Sequence, residues 1–188
     1  MNKSATQRPP RRADAERNRD QILAVARAAF ADPDAEISMA EIARRAGVGM
    51  ATLYRNFPGR RELLEALYAD EVAAICEAAE RLTDATPGAA LRTWLSQAFA
   101  FFAAKRPLAA ELLKDSEGDD SLFSDSRSRV IAAGKPLLAA AQEAHQARGD
   151  LAIEQILEMI AAIAHIQRDP SYLEPILQTT LDGLRPTE

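Results

Sequence analysis

The chain has 188 residues, of which 47% are hydrophobic and 27% charged, a composition typical of globular domains with a full core. Aromatic residues make up only 5%, and the abundance of good helix formers favours helices over sheets. No apolar run reaches the ~20 residues that a membrane span needs, and no apolar segment follows the basic N-terminus as in a secretory signal. The single Cys76 excludes an internal disulfide. We therefore expect an all-α cytoplasmic protein of about nine helices.

The net charge of −5 is distributed unevenly along the chain. Residues 1–62 hold 12 Lys and Arg against 8 Asp and Glu, a net charge of +4, whereas residues 63–188 hold 11 against 20, a net charge of −9. A basic head suits DNA binding, because phosphates dominate the attraction between proteins and DNA. Uneven charge also occurs in helical proteins that bind no DNA, so the charge by itself leaves both interpretations open.

The N-terminal segment, residues 1–12, is basic, contains two prolines and has almost nothing apolar to bury. We expect it to be disordered, either as an arm that follows the phosphate backbone or enters the minor groove, or as a solvated tail. A first helix is predicted over residues 13–31, where apolar residues recur at helical spacing. They are Ile22, Val25, Ala26, Ala29 and Phe30.

Residues 38–64 predict a helix-turn-helix followed by the start of another helix. Ser38 and Glu41 have the S-x-x-E spacing of a capping box, which satisfies backbone N–H groups at a helix start. Gly47 permits the positive φ of a tight turn, and a second short helix over residues 50–57 ends before a proline. In such a motif the second helix is free to enter a DNA major groove.

The same stretch resembles the DNA-binding region of the tetracycline-repressor (TetR) family of bacterial regulators. The residues that match the family pattern are Ile42, Ala43, Ala46, Gly47, Val48, Thr52, Leu53, Tyr54, Phe57, Glu62, Leu63 and Leu64. Four positions depart mildly from it, with Ser38 for threonine, Gly49 for serine, Ala51 for glycine and Asn56 for histidine. The change at the start of the second helix is mild because glycine caps a helix nearly as well as serine.

The resemblance implies a DNA-binding role for Ser38 and for residues of the second helix and the segment after it. The expected phosphate contacts are Thr52, Tyr54, Asn56, Arg60 and Arg61. The expected base contacts are Met50, Ala51 and Arg55. Arg55 is the best candidate to bind a guanine, because a guanidinium pairs with two acceptors on that base.

The rest of the chain predicts six further helices that form a bundle. They cover residues 60–82, 90–105, 107–113, 126–148, 151–167 and 172–184. Pro136 is expected to kink or split the helix in which it lies, because its ring clashes with the preceding turn. Residues 115–125 are acidic but lack the ordered spacing of a calcium loop, so we interpret them as a mobile loop.

The predicted helix over residues 151–167 is apolar around most of its circumference, as in a helix that is deeply buried or that a partner chain covers on a second side. In the TetR family the last two helices pair with their mates in a four-helix dimer interface. The resemblance therefore implies a dimer interface on these helices. Its predicted residues are Ile153, Ile156, Leu157, Ile160, Ile163, Leu173, Ile176, Leu177 and Leu181.

The resembled family also has an apolar ligand pocket among the middle helices of the body. The predicted pocket residues are Trp94, Phe99, Phe102, His145, Met159 and His165, most of which ordinarily serve as plain core. Neither histidine has a Cys or His partner at the spacing of metal ligands, and no catalytic constellation is evident. We therefore expect no metal, no cofactor and no enzymatic activity.

Together these features predict three segments: a disordered arm over residues 1–12, a DNA-binding domain over 13–59, and a ligand-binding and dimerisation domain over 60–188. The function that follows is a homodimeric transcriptional repressor, released from a palindromic DNA operator by a small molecule. An alternative is a non-catalytic carrier of small molecules that keeps a vestigial helix-turn-helix for packing. An enzyme on a helical bundle is a third class, but it requires reactive residues that the sequence does not mark.

Overall fold

The computed structural model describes residues 10–30, 38–82, 86–114 and 121–186, and these residues form helices and no strand. The prediction of an all-α fold is confirmed. In chain order the helices are α1 (Pro10–Phe30), α2 (Met39–Arg45), α3 (Met50–Asn56), α4 (Arg60–Arg81), α5 (Pro87–Lys114), α6 (Ser121–Glu143), α7 (Ile153–Ala164) and α8 (Pro170–Asp182). None of these helices is both long and apolar enough to cross a membrane.

The described residues contain eight helices where the sequence predicts nine, because α5 joins two predicted helices across Pro107. A proline inside a helix removes one backbone hydrogen bond. Leu108 and Leu112 are buried immediately after it, and this burial offsets the lost bond. Pro136 likewise leaves α6 continuous, with the buried Gly134 and Leu138 on either side of it.

Two predicted segments fall partly outside the described residues. Residues 1–9 of the predicted arm lie outside the described residues. Residues 10–12 form the first turn of α1. Pro10 fits at the start of this helix because the first N–H groups of a helix have no partner within it, so the missing N–H of proline costs no hydrogen bond. Residues 115–120 of the predicted acidic loop also lie outside, and residues 121–125 form the first turn of α6. The helical start of α6 places Phe123 on an ordered element, which the sequence assigns to a loop.

The chain divides into two compact units, residues 1–67 and residues 68–188, with the boundary inside α4. In the first unit, α2 packs against both α1 and α3. The buried apolar residues of α1 to α3 and the residue after α3 form its core. They are Ile22, Leu23, Ala26, Ala29, Ile42, Ala43, Ala46, Leu53 and Phe57.

In the second unit, α5 is the central helix and packs against α6, α7 and α8. Trp94 on α5 is completely buried, and its indole Nε1–H donates to the carbonyl oxygen of Ile75 at 3.0 Å. Gly134 of α6 lies so close to α5 that an added Cβ would be 2.6 Å from the Trp94 ring. The core of this unit therefore depends on one small residue facing one large one.

Candidate functional site

The helix-turn-helix is held by local hydrogen bonds at the end of α2. Gly47 has φ of +66°, the N–H of Val48 donates to the carbonyl of Ala43 at 3.0 Å, and the N–H of Gly47 donates to Arg44 at 3.2 Å. This pair of bonds is the Schellman motif, in which a left-handed residue satisfies the last carbonyls of a helix. At the other end of α2, the Ser38 hydroxyl accepts from the Glu41 N–H at 3.2 Å. The turn therefore fixes where α3 begins.

The second half of the predicted capping box is replaced by an ion-pair cluster on α2. The Glu41 carboxylate accepts from Arg44 at 2.7 and 2.8 Å and from Arg45 at 2.6 Å. These two guanidinium groups, through hydrogen bonds first and charge second, lower the pKa of Glu41 to about 2. Glu41 is therefore ionised at neutral pH and cancels part of the positive charge of α2.

One face of α3 is exposed to solvent. Met50 and Tyr54 expose 39% and 47% of their surfaces although both are large and largely apolar, and Ala51 and Arg55 are exposed beside them. Leu53, on the opposite face, is completely buried. The residues predicted to meet base edges therefore share the outer face of this helix, and their contact with DNA remains a prediction.

Several polar side chains of α3 already have partners within the helix. The Arg55 guanidinium donates to the carbonyl of Ala51 at 3.1 Å and to the Thr52 hydroxyl at 3.0 Å. The Asn56 amide donates to the Thr52 carbonyl at 2.8 Å, and both of these residues are half-buried. Arg55 must leave its helix to reach a base, whereas Asn56 is oriented along the helix end.

The two arginines after α3 that are predicted to contact phosphates also have partners within the chain. The Arg60 guanidinium lies 4.9 Å from the centre of the Phe30 ring, and Arg61 donates to Glu65 at 2.7 Å. Arg19 of α1 lies 4.8 Å from the Phe57 ring in the same way. Cations above aromatic rings tie α1 to the segment after α3 while keeping charge at the surface.

The second unit contains a cavity of about 130 Å³ between α4, α5, α6 and α7. Four aromatic side chains, two carboxylates and one guanidinium contribute to its lining. The lining residues are Tyr68, Val72, Phe101, Phe102, Phe123, Ser126, Arg127, Val130, Ile131, Glu154, Leu157, Glu158 and Ala161. A mostly apolar cavity with a few polar groups is typical of small-molecule sites.

Of the six predicted pocket residues, only Phe102 lines this cavity. Trp94 is sealed in the core, and Phe99 is half-buried against the same core. His145 is exposed in the turn after α6, with φ of 52°. The other two, Met159 and His165, are exposed at the surface of α7 and at its C-terminal end, where the His165 ring nitrogen Nδ1 lies 2.6 Å from the Ala161 carbonyl.

The cavity residues that sequence reasoning missed come from four helices and share no local motif. The one local signal is the pair Glu154 and Glu158, the two acids of α7, which lie one turn apart. Tyr68 was visible only as part of the apolar repeat of α4, and Phe123 only as part of a predicted loop. Their common location depends on how α4, α5 and α6 pack.

Most of the residues predicted for the dimer interface are buried within the chain itself. Eight of the nine, all except Ile176, are buried inside this single chain, with Ile153, Ile156 and Ile160 at 1% exposure or less. A side chain that is already covered has little surface left for a partner, so these residues hold α7 and α8 to their own bundle. Burial in the chain's own core therefore explains the apolar residues on the inner side of α7.

The outer faces of α7 and α8 carry a different set of residues. Among the described residues, the exposed large apolar side chains are Met50, Tyr54, Leu113, Met159, Ile166 and Tyr172. Two of them lie on α3. Of the others, Met159 lies on α7, Ile166 just after α7, and Tyr172 on α8. Gln155, Met159, Ala162 and Ile166 are all exposed at the spacing of one helical face. We call this set, together with Tyr172, the outer face of α7 and α8.

Comparison with known proteins covers both units. Residues 22–67 match the model for bacterial regulatory proteins of the tetR family, and residues 86–186 match the model for the C-terminal domain of SbtR-like transcriptional regulators. No curated protein matches the chain at a significant level.

The chain is also similar to solved structures of TetR regulators along nearly its whole length. A TetR transcriptional regulator from Streptomyces coelicolor is 37% identical with a TM-score of 0.77, and covers 90% of this chain and 99% of its own. A TetR regulatory protein from Mycobacterium vanbaalenii is 34% identical with a TM-score of 0.77, and covers 94% and 99%. The reduced form of NemR from E. coli, at 18% identity and a TM-score of 0.68 over 88% and 94%, shares the fold.

Proposed function

Because this chain belongs to the TetR family of bacterial transcriptional regulators, we propose that it acts as a homodimeric repressor that a small molecule releases from its DNA operator. The N-terminal unit is the DNA-binding part, and the second unit supplies the dimer contact and the ligand cavity. No enzymatic step is assigned to any residue. A regulator of bacterial operators works in the cytoplasm, where the DNA is.

The observation that carries the DNA-binding role is the exposed outer face of α3. Met50 and Tyr54 are large side chains that expose 39% and 47% of their surfaces, while the helix itself is anchored by the buried Leu53 and by the Gly47 turn. Arg55, one residue after Tyr54, is also exposed and is our candidate for reading a guanine. Tyr54, Thr52 and Asn56 position the helix on phosphates.

Dimerisation involves the outer face of α7 and α8. Met159, Ile166 and Tyr172 are exposed apolar side chains of the kind that a second copy covers. A two-fold axis through this face makes one protomer's contacts the same as its partner's. The operator bound by such a dimer is roughly palindromic, with half-sites about 34–36 Å apart or a multiple of this distance.

Release requires that the ligand binds the DNA-free state more tightly than the DNA-bound state. The cavity lies among α4 to α7, and α4 runs from the first unit into the second. A ligand that changes the position of Tyr68 and Val72 thereby acts on the helix that continues into the DNA-binding unit. This continuity supports α4 as the coupling element.

The first test is selection of bound duplexes from a random DNA pool at two salt concentrations. We expect a two-fold symmetric motif, and affinity that falls with salt because bound phosphates release counterions. Recovery of no motif, with weak binding that disappears at higher salt, would contradict the proposal and favour a carrier with a vestigial helix-turn-helix. The recovered motif then serves as the probe in a screen for compounds that release it.

A further inference from the structure

The charged groups of the cavity are unequally distributed between acids and bases. Glu154 and Glu158 lie on the same face of α7, with Leu157 and Ala161 beside them in the lining, and Arg127 of α6 is the only base in the lining. The lining itself holds two carboxylates and one guanidinium, and Lys135 pairs with the second carboxylate, that of Glu154, from outside the lining. A ligand that brings a positive charge into the cavity can take the place of these partners.

The carboxylates are held by ion pairs that a ligand can replace. Arg127 Nη2 lies 2.5 Å from Glu158 Oε1, and both side chains are more than 60% exposed. Lys135, outside the lining, pairs with Glu154 at 3.0 Å. Exposed pairs of this kind contribute little free energy, so a ligand cation displaces them at little cost. The N–H of Glu154 itself and then Lys135 lower the pKa of Glu154, so this acid is ionised at neutral pH.

The apolar part of the lining also favours a positive charge. Tyr68 and Phe123 meet edge to face with ring centres 5.3 Å apart, and Phe101 and Phe102 are also 5.3 Å apart. Aromatic rings carry negative charge on their faces and attract cations, most strongly where water is excluded. An anionic ligand would meet these rings and the two carboxylates, and gain only Arg127.

The volume of the cavity limits the size of the ligand. An apolar cavity of ~150 Å³ accommodates benzene. The cavity here, at about 130 Å³, accommodates a single ring or a short branched chain, with its charged group at the Glu154 and Glu158 end.

We propose that the cavity binds a small organic cation, with an apolar body of about one ring among the aromatic side chains and an ammonium group at Glu154 and Glu158. The inference rests on the proposed function, since it names the chemical class of the molecule that acts at the same cavity. It adds to that function the sign of the ligand's charge and the two acids that recognise it.

The test compares three ligands with the same ring and different charge, by isothermal titration calorimetry on the full-length protein without DNA. Benzylamine is positive at neutral pH, benzyl alcohol is neutral and benzoate is negative. We expect benzylamine to bind at least about tenfold more tightly than the other two. Glu154→Gln and Glu158→Gln should each reduce this preference, and the double variant should abolish it.

The matched control is Glu77→Gln, which removes the acid of another exposed ion pair, with Arg81 at 2.5 Å, outside the cavity. It should leave the preference for benzylamine unchanged. Circular dichroism of each variant establishes that the helices are retained, which we expect because all three changes are isosteric and lie in exposed pairs.

Three outcomes overturn the inference: preference for benzoate that is lost in Arg127→Gln, equal binding of the three ligands, or binding of none of them. The calorimetry requires no DNA, so its failure is separate from failure of the proposed function. A symmetric operator without amine binding leaves the repressor in place and removes the cationic ligand. Amine binding without a recovered operator supports the cationic ligand and contradicts the role as a repressor.

Discussion

The two units of this protein carry their candidate sites in opposite ways. In the first unit, the candidate DNA-binding surface is almost entirely one continuous stretch, residues 38–61, with its own caps and turn. In the second unit, the cavity combines residues from four helices, and Gly134 of α6 packs directly against Trp94 of α5. A site made of neighbours in sequence is fixed by local backbone chemistry, whereas the other depends on tertiary packing.

The largest expected effect tests whether the outer face of α7 and α8 is the dimer surface. Met159→Glu places a carboxylate of each copy on that face, and burying it unpaired should weaken dimerisation by about 2–5 kcal/mol. Sedimentation equilibrium measures the dissociation constant. Leu113→Glu is the control, since it changes another exposed large apolar side chain that lies on α5, and it should leave the dimer intact. An unchanged dimer in Met159→Glu would place the interface elsewhere.

Gly134→Ala tests how far packing overrides local preference in the second unit. In an exposed helix, replacing glycine by alanine is stabilising, because alanine is the better helix former. Here the new Cβ would lie 2.6 Å from the Trp94 ring and 2.8 Å from Ile153, so we expect a loss of about 1–3 kcal/mol in the free energy of unfolding by urea.

Gly149→Ala is the matched control, because its new Cβ meets nothing within 4 Å. It should change the free energy of unfolding by a few tenths of a kcal/mol at most. If Gly134→Ala instead raised the free energy of unfolding, as the same change does in an exposed helix, the bundle would have moved to accommodate the new Cβ. The contrast between the two units would then be weaker.

In the first unit, Arg55→Ala should lower affinity for the selected operator by about 1–3 kcal/mol and relax the preference at one base step. Tyr54→Phe should instead weaken binding to all sequences alike, because a phosphate contact carries no base preference. Titration of the operator and its single-base variants distinguishes the two patterns. Unchanged affinity and preference in Arg55→Ala would remove its base-reading role.

Gly47→Ala isolates the backbone contribution of the turn. The residue has φ of +66°, and an added Cβ meets nothing within 4 Å, so any cost comes from the left-handed conformation alone. We expect a loss of about 1–2 kcal/mol in the free energy of unfolding. Gly149→Ala, at a glycine without a left-handed φ and with equally open space, should be nearly neutral. Equal effects of the two changes would mean that the turn is not under this local constraint.

The success of sequence reasoning follows the same division between the units. Ser38, Gly47 and Gly49 lie where their patterns predict, because a cap and a left-handed turn involve residues only a few positions apart. The predicted break at Pro107 was wrong as a boundary, because burial of Leu108 and Leu112 keeps α5 continuous. Of the pocket residues only Phe102 was placed in the cavity, since an aromatic residue's type does not tell which side of a bundle it faces.

The sequence by itself determined the all-α class and the geometry of the helix-turn-helix, since both depend on periodicity and on bonds between near neighbours. It also indicated the family, through the resemblance of residues 38–64 to the family pattern. Only the tertiary structure decided which face of α7 is buried in its own bundle and which is exposed. It also brought Phe101, Phe123 and Glu158 to one cavity. The physical reason is that an apolar side chain gains the same free energy from any dry surface, so its identity cannot specify which surface covers it.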